Sequence, residues 1–228
     1  MPVLPGPPPV EITLRRSARS RRFSLRVSKL DGRVTLSLPL RARETEAMAF
    51  VREQEGWIRR ALAGMTPVGA VGFGAVLPFQ GQMLTITPGS GRSVQVQGES
   101  LLVPGDPAQV AVRIAAFLKV RARDRLALAS DHYAGILGRP YRSLTLRDTR
   151  SRWGSCTADG GLMYSWRLIM APPQVLDYVV AHEVAHLDQM NHSQAFWDVV
   201  TRLYPGYQTP RRWLKAQGQV LHGYRFAL

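Results

Sequence analysis

The sequence predicts an α+β fold in which a β-rich N-terminal region precedes a second region built mainly from helices. Between residues 11 and 105, apolar and polar residues alternate along several short stretches, which is typical of half-buried strands. Between residues 106 and 228, most apolar residues recur at the spacing of amphipathic helices. We therefore place a domain boundary near residue 105. Residues 1–10, which are rich in proline, are expected to form a disordered leader.

Three alternating stretches open the N-terminal region: EITLRRS, FSLRVSK and GRVTLSLP. Asp31 and Gly32 favour a tight turn before the third stretch, so we expect an antiparallel meander from Glu11 to Leu40. The next segment, RETEAMAFVREQEGWIRRALAG, predicts one amphipathic helix that ends at Gly64. LPFQGQMLTITPG and SVQVQGESLLVPG then return to strand patterning. No internal repeat is evident in the sequence.

The second region begins with a long helical pattern from Asp106 to about Leu137. The segments SLTLRD and GGLMYSWRLIM predict two strands. They are joined through SRWGSCTADG, in which Asp159 and Gly160 favour a turn.

Two or three further helices complete the predicted fold. Prolines at positions 172 and 173 suit a first helical turn, and QVLDYVVAHEVAHLDQM predicts a helix to about Met190. Asn191 tolerates the left-handed conformation that ends a helix, and Asn191 or Ser193 can cap the next one, QAFWDVVTRLY. A last helix is expected from Pro210.

The charge of the chain favours anionic partners, because its net charge is +14. Six positive charges fall within a stretch of RRSARSRRFSLR that contains no acid. They are Arg15, Arg16, Arg19, Arg21, Arg22 and Arg26. A solvated strand face is the default interpretation of this stretch, and contact with DNA or RNA is the alternative.

Three features bear on the compartment. No apolar run is long enough to span a bilayer, because charges, glycines and prolines interrupt every candidate. The N-terminal stretch MPVLPGPPPVEITLRR carries its basic residues after its apolar ones, which is the reverse of a secretory signal. Cys156 is the single cysteine, which excludes an internal disulfide. We expect a cytoplasmic protein with no membrane partner.

The segment VVAHEVAHLDQMNHSQAFW, residues 179–197, contains three of the five histidines. On a helix, His182 and His186 project from one face about one turn apart, so both imidazoles can meet one metal ion. Glu183 lies beside them, where its carboxylate can reach a water on that ion without being a ligand. Zinc with three protein ligands keeps a position for water and lowers its pKa toward about 7. This spacing therefore predicts a hydrolytic zinc site with Glu183 as its base.

His192 is the predicted third ligand, in a site that holds one zinc ion per chain. It can reach the ion only if the helix breaks near Met190 or Asn191, because a continued helix would place it on a different face. The other histidines, His132 and His222, have no partner at ligand spacing and are interpreted as ordinary solvated or hydrogen-bonded residues.

Four segments closely resemble the YgjP-like metallopeptidase family: RWGSC, SWRL, HEVAHLDQMNHSQAFW and YPGYQTPRRWL. The resemblance implies a zincin-like catalytic domain, residues 106–228, and a peptide or protein substrate. It also implies zinc at His182, His186 and His192, with Glu183 as general base. The family is related to the SprT-like and yeast-type DNA–protein crosslink proteases. By that analogy, the N-terminal arginines would deliver the peptidase to nucleoprotein substrates.

A peptidase also needs a donor for the oxyanion that forms on the substrate carbonyl. Arg152 and Arg167 from the predicted strands, and Tyr204 and Tyr207 from the C-terminal segment, are candidates for that donor or for substrate contacts. A structural salt bridge or a packed tyrosine is the alternative for each. The remaining aromatic residues of these segments are interpreted as core: Trp153, Trp166, Phe196 and Trp197.

The sequence leaves two interpretations open for Cys156 and two for the strand GLMYSWRLI. Cys156 is interpreted as a buried structural thiol, and a resting-state zinc ligand is the alternative. The strand GLMYSWRLI is either an edge strand that receives an extended substrate by strand addition or an interior strand of the sheet.

Two other functions fit the same residues. The chain could be a basic nucleic-acid-binding protein with a structural or inactive zinc site, or a zinc hydrolase that acts on something other than peptides. Structural zinc normally has four protein ligands. The sequence offers three ligands, with a carboxylate beside the coordination position that stays open. This count favours a catalytic zinc site over a structural one, and it does not separate a peptidase from another zinc hydrolase.

Overall fold

The structure is a computed structural model in which residues 2–28, 32–63 and 69–226 are described. It has the predicted α+β class and forms two compact units, Met1–Val68 and Gly69–Leu228. The division does not coincide with the boundary predicted near residue 105, because the strands between residues 76 and 103 belong to the second unit. The assignment of residues 106–228 as a catalytic domain stays a prediction.

The first unit contains a four-stranded sheet and two helices. The strands are β1 (Val3–Leu4), β2 (Val10–Arg16), β3 (Ser24–Val27) and β4 (Val34–Leu38), and the helices are α1 (Glu44–Glu53) and α2 (Glu55–Ala63). The predicted disordered leader is wrong, since β1 pairs with β2 and the side chain of Leu4 is fully buried. The helix predicted as one element breaks at Gln54, whose backbone leaves the helical region at ψ 8°.

The strand order β1-β2-β4-β3 differs from the predicted antiparallel meander. β2 and β4 are parallel, and β3 pairs with the other edge of β4 in antiparallel fashion. β4 occupies an interior position because Val34, Leu36 and Leu38 are all fully buried, whereas the side chains of β3 are only partly covered. The turn predicted at Asp31 and the helix end predicted at Gly64 lie outside the described residues.

The second unit begins with another four-stranded sheet. Its strands are β5 (Val76–Phe79), β6 (Gln82–Pro88), β7 (Gln95–Gln97) and β8 (Ser100–Val103). Their order, β5-β6-β8-β7, repeats the first sheet, including the parallel pair between two antiparallel ones. The same arrangement of strands thus occurs twice, although the sequence shows no repeat.

The rest of the second unit is arranged around one long helix, α3 (Val110–Leu137). It ends where Gly138 adopts a left-handed backbone with φ 73°, which glycine tolerates without strain. A three-stranded sheet follows, formed by β9 (Ser143–Arg147), β10 (Gly154–Cys156) and β11 (Gly161–Ser165). The last helices are α4 (Pro173–Ala185), α5 (Gln194–Leu203) and α6 (Gln208–Gln217).

Several predicted elements of this unit are corrected. Residues 154–156 form β10 inside the predicted loop, and Trp166–Met170 is a short 3-10 helix rather than the end of a strand. α6 begins at Gln208, before Pro210. Among the described residues, no helix has the length and apolar character needed to cross a membrane.

Helix α4 ends earlier than predicted. It stops at Ala185, with His186 as its C-cap, instead of continuing to Met190. Asn191 does not take the left-handed conformation, since Gln80 alone among the described non-glycine residues has a positive φ. Ser193 holds the N-cap position of α5 without a side-chain capping bond, and its N–H donates to Asn191 Oδ1 at 3.1 Å.

Candidate metal centre

Three histidines converge at the end of α4. His182 and the C-cap residue His186 lie one turn apart on one face, and His186 keeps a helical backbone at φ −66° and ψ −17°. His192 returns from the segment after the helix, and its Nε2 lies 3.1 Å from Nε2 of His182. Ring nitrogens of all three residues lie within 4.8 Å of one another. The helix break predicted near Met190 or Asn191 therefore occurs earlier, at His186. The segment that follows still brings His192 back to the other two histidines.

A tight turn makes this return possible. The N–H of Leu187 donates to Val184 O at 3.0 Å, and the N–H of Asp188 donates to Ala185 O at 3.1 Å. These shorter-range bonds close the helix end. Nδ1 of His186 lies 2.9 Å from Gln189 O, so the turn also fixes the orientation of the His186 ring. Because Nδ1 is used in this bond, Nε2 of His186 is the nitrogen that remains for a ligand.

Phe196 lies against all three imidazoles from the first turn of α5. Its side chain is fully buried, and its ring centroid lies 4.9, 4.5 and 4.7 Å from those of His182, His186 and His192, respectively. Phe196 was predicted as a core residue, and it is one. Its contacts also make it the apolar floor of the histidine cluster.

The buried surroundings keep His182 and His186 in the form that binds metals. Burial lowers the pKa of His182 to about 3, and the neighbouring His186, His192 and Arg211 act in the same direction. Burial also lowers the pKa of His186, although its bond to Gln189 O opposes the shift. Both imidazoles are therefore neutral near pH 7, which is the protonation state that a metal ligand needs.

Nδ1 of His182 is buried and has no hydrogen-bond partner within the described part of the chain. The ring is instead enclosed by aromatic side chains: Tyr178 and Trp197 lie 5.9 Å away, centroid to centroid, and Phe196 meets it edge-on. Packing rather than a hydrogen bond thus orients this imidazole.

Glu183 faces the same cleft from α4, and only 7% of its surface is exposed. Burial raises the pKa of its carboxyl to about 8, and the positive charge of Arg152 opposes the shift. Gly154 of β10 lies directly against this carboxyl: a Cβ on Gly154 would stand 2.6 Å from Cγ and Oε1 of Glu183. The place of Glu183 therefore depends on the absence of a side chain at position 154.

The cleft has a volume of about 320 Å³. It is lined by Arg152, Gly154, Ser155, Cys156, His182, Glu183, His186, Met190 and His192. Cys156 donates to Thr157 O at 3.4 Å and does not belong to the ligand cluster, which contains histidines only. Burial raises the pKa of its thiol to about 11, assisted by Glu183 and Asp159. These contacts favour the neutral thiol at pH 7.

Of the four predicted oxyanion or substrate contacts, Arg152 alone lines the cleft. Arg167 is 7% exposed and does not reach it, because its guanidinium binds both carboxylate oxygens of Asp148 and the carbonyls of Leu221 and Tyr224. Arg167 is therefore corrected to a structural residue. Tyr204 packs edge-on against Tyr133 and is also outside the cleft.

Tyr207 belongs to an aromatic wall beside the histidines, formed by Tyr178, Trp197 and Tyr207. The Tyr207 ring stacks on Trp197 at 5.3 Å and on Tyr178 at 6.2 Å. The Trp197 ring lies 5.9 Å from the rings of His182 and His192, so this wall borders the metal ligands. Trp197 is half-buried, in contrast to the core position predicted for it.

Arg211 completes this wall and was not predicted from the sequence. It lies on α6, and its guanidinium carbon is 4.4 Å from the centroid of the Trp197 ring. The signal was present in YPGYQTPRRWL, but the sequence could not show which of two adjacent arginines faces the site.

Two of the remaining predicted residues have structural roles. Trp166 is 4% exposed and belongs to the core as predicted, whereas Trp153 is half-buried and stacks on His222 with ring centroids 4.7 Å apart. The predicted solvated or hydrogen-bonded role of His222 becomes a buried, stacked one, since the residue is 7% exposed. His132 is exposed and contacts Tyr133 edge-on.

The edge of the three-stranded sheet is formed by β10, not by the strand GLMYSWRLI. The order β10-β11-β9 places β11 in the interior, with β10 antiparallel to it and β9 parallel to it. The interior interpretation is therefore the correct one for residues 161–165. β10 contributes Gly154, Ser155 and Cys156 to the wall of the cleft.

A comparison with protein-family models identifies the family of this chain. A family model described as the YgjP-like metallopeptidase domain matches residues 21–217. Among solved structures, the metallopeptidase zymogen abylysin of Pyrococcus abyssi is 20% identical, with a TM-score of 0.37, over 41% of this chain and 95% of that chain. A search of curated proteins gave no match. The family match extends over most of the sequence and includes every histidine of the cluster, so the chain belongs to the YgjP-like metallopeptidase family.

Proposed function

We propose that this chain is a zinc-dependent peptidase in which His182, His186 and His192 hold the ion and Glu183 is the general base. The observation that supports this most strongly is the convergence of three imidazoles within 4.8 Å at a cleft that also contains a buried carboxylate. Family membership supplies the reaction class, a metal-dependent cleavage of peptides or proteins.

The donor set fits zinc. Two nitrogens bound to a tetrahedral zinc at roughly 2.05 Å lie about 3.3 Å apart. The 3.1 Å separation of the His182 and His192 Nε2 atoms is close to that value. Three imidazole ligands leave a fourth coordination position open, as in catalytic zinc sites. When bound, zinc would polarise the substrate carbonyl and lower the pKa of the attacking water.

Glu183 would carry the proton in both halves of the reaction. Its carboxylate takes a proton from the attacking water, and the resulting carboxylic acid then gives that proton to the leaving amine. Burial raises the pKa of Glu183 and so favours the protonated form that the second step needs, whereas a metal ion beside it would favour the carboxylate that the first step needs. Gly154 keeps the space that this carboxyl occupies.

Arg152 and β10 would hold the substrate. The exposed guanidinium of Arg152 lines the cleft and can donate to the oxyanion that develops on the scissile carbonyl. β10 is an edge strand beside the histidines, so an extended peptide could pair with its main chain. Such pairing binds backbone rather than side chains, and it would give affinity with little sequence preference.

The experiment that tests this proposal compares the wild type with Glu183→Gln. Casein hydrolysis and metal content are measured on the same samples. Glu99→Gln is the matched control, because it makes the same change at an exposed glutamate outside the cleft. We expect about one zinc per chain in all three proteins and hydrolysis by the wild type and Glu99→Gln. Undiminished hydrolysis by Glu183→Gln would remove Glu183 from the mechanism.

A second candidate function is nucleic-acid binding through the first unit. All six arginines between residues 15 and 26 are exposed, although Arg16 also donates to the carbonyls of Leu40 and Ala42. We expect DNA affinity to fall steeply with salt and to weaken when Arg19, Arg21 and Arg22 are changed to glutamine. A DNA affinity that does not fall with salt, or that is unchanged in the glutamine variants, would eliminate this candidate.

A further inference from the structure

Arg211 borders the proposed metal site through its contact with an aromatic ring. Its guanidinium lies over Trp197, whose ring borders both His182 and His192. Tyr207 stacks on the same indole and holds it in place. A positive charge is thereby fixed at the side of the proposed metal site.

The charge of Arg211 has no carboxylate partner among the described residues. Other described arginines do have one, among them Arg59, Arg125, Arg139, Arg142 and Arg167. Arg211 is exposed, so its charge is solvated and accessible to a ligand. A guanidinium over an aromatic ring still presents N–H donors along its edge, in a geometry that matches a carboxylate.

We propose that Arg211 binds a carboxylate of the peptide substrate and makes this enzyme selective for peptides that present a carboxylate near the scissile bond. The inference rests on the proposed peptidase function. The carboxylate has two sources, an Asp or Glu side chain near the scissile bond or the free C-terminus of the peptide, and both have the same chemistry. The Trp197 ring limits the movement of Arg211, so an ion pair there loses less side-chain entropy than one with a free arginine.

The neighbouring residue provides a matched control. Arg212 is also exposed on α6, but its guanidinium donates to Thr209 Oγ1 at 3.3 Å and makes no contact with the aromatic wall among the described residues. Arg211→Gln and Arg212→Gln therefore remove the same charge from adjacent positions. Both changes are at exposed sites, so we expect both variants to fold.

The first measurement maps the cleavage sites that each protein makes in casein by mass spectrometry. We expect Asp and Glu to be enriched at a fixed distance from the sites cut by the wild type and by Arg212→Gln, and to lose that enrichment in Arg211→Gln. If enrichment occurs only at peptide ends, the C-terminal carboxylate is the ligand. The same cleavage pattern in all three proteins would overturn the inference and leave the proposed function intact.

The second measurement separates recognition from catalysis. The zinc-loaded Glu183→Gln protein is titrated with three peptides. The first has the sequence of a mapped cleavage site, the second has its acidic residue changed to glutamine, and the third has an amidated C-terminus. We expect the peptide that lacks the recognised carboxylate to bind roughly tenfold or more weakly. When Arg211→Gln is added to the Glu183→Gln protein, we expect all three peptides to bind with the same affinity. Equal affinity of the Glu183→Gln protein itself for all peptides would refute carboxylate recognition. Absence of any cleavage by the wild type would instead refute the proposed function.

Discussion

At the scale of single residues, the candidate site combines neighbours on one helix with residues that only the fold brings to them. His182, Glu183 and His186 follow from helical spacing, because residues four apart share a face whatever the rest of the fold does. Gly154 and Arg211 could not be found in this way. Their contacts with Glu183 and Trp197 join segments that are distant in sequence and meet only through tertiary packing.

The contact between Gly154 and Glu183 predicts the effect of adding one methyl group. In Gly154→Ala, the new Cβ would displace the Glu183 carboxyl, so we expect kcat to fall roughly tenfold to a hundredfold while zinc content is unchanged. Casein hydrolysis and elemental analysis measure the two quantities. Gly135→Ala is the control, since a Cβ there has nothing within 4 Å. Full activity in Gly154→Ala would show that Glu183 does not need this space.

His222 predicts a pH dependence of stability. Burial lowers the pKa of this residue to about 4 from its ordinary value of 6.5, so the unfolded chain binds its proton more tightly than the folded chain. The stability that neutral His222 contributes is complete above pH 6.5 and is lost as the pH falls toward 4. Thermal unfolding between pH 4 and 7.5 should therefore show a shallower decline for His222→Gln than for the wild type. Parallel curves would contradict this assignment.

At the scale of elements, the existence of helices was predictable and their limits were not. The pattern of α3 was recognised because it is long, whereas α4 ends at Ala185 through backbone bonds of a turn that carries no glycine signal. The parallel pairing of β2 and β4 was missed because alternation identifies a strand without identifying its neighbour.

Helix α5 supplies the apolar floor of the histidine cluster, and this predicts two effects of Phe196→Ala. Loss of a fully buried ring should reduce the free energy of unfolding by about 3–5 kcal/mol. It should also weaken zinc binding, because Phe196 packs against all three imidazoles. Denaturant unfolding and competitive zinc titration measure these effects.

Val200→Ala provides the control for that helix. Val200 is also fully buried on α5, about one turn beyond Phe196. We expect this variant to lose stability and to keep the zinc affinity of the wild type. Equal zinc affinity in Phe196→Ala and Val200→Ala would mean that Phe196 has no particular role at the metal site.

At the scale of the whole molecule, the α+β class and the family were predictable from pattern and motif. The division into Met1–Val68 and Gly69–Leu228 was not, because the two four-stranded sheets give similar strand patterns and belong to different units. The strand order that the two sheets share was not predicted either. It depends on which strands pair, and a residue pattern does not show the pairing.

A bound metal should stabilise the second unit, because the ligands come from α4 and from the segment that precedes α5. We expect a chelator to lower the Tm of the wild type and added zinc to restore it. The His192→Ala variant, which lacks one ligand, should show a smaller response in a scanning calorimeter. A Tm that is indifferent to chelation in the wild type would exclude a stably bound ion.

The most direct test of the central claim measures zinc content and casein hydrolysis on the same never-chelated samples of wild type and His192→Ala. The account predicts about one zinc per chain and activity in the wild type, and loss of both in the variant. Wild-type protein that cleaves casein without bound metal, or a variant that keeps both zinc and activity, would contradict the three-histidine site.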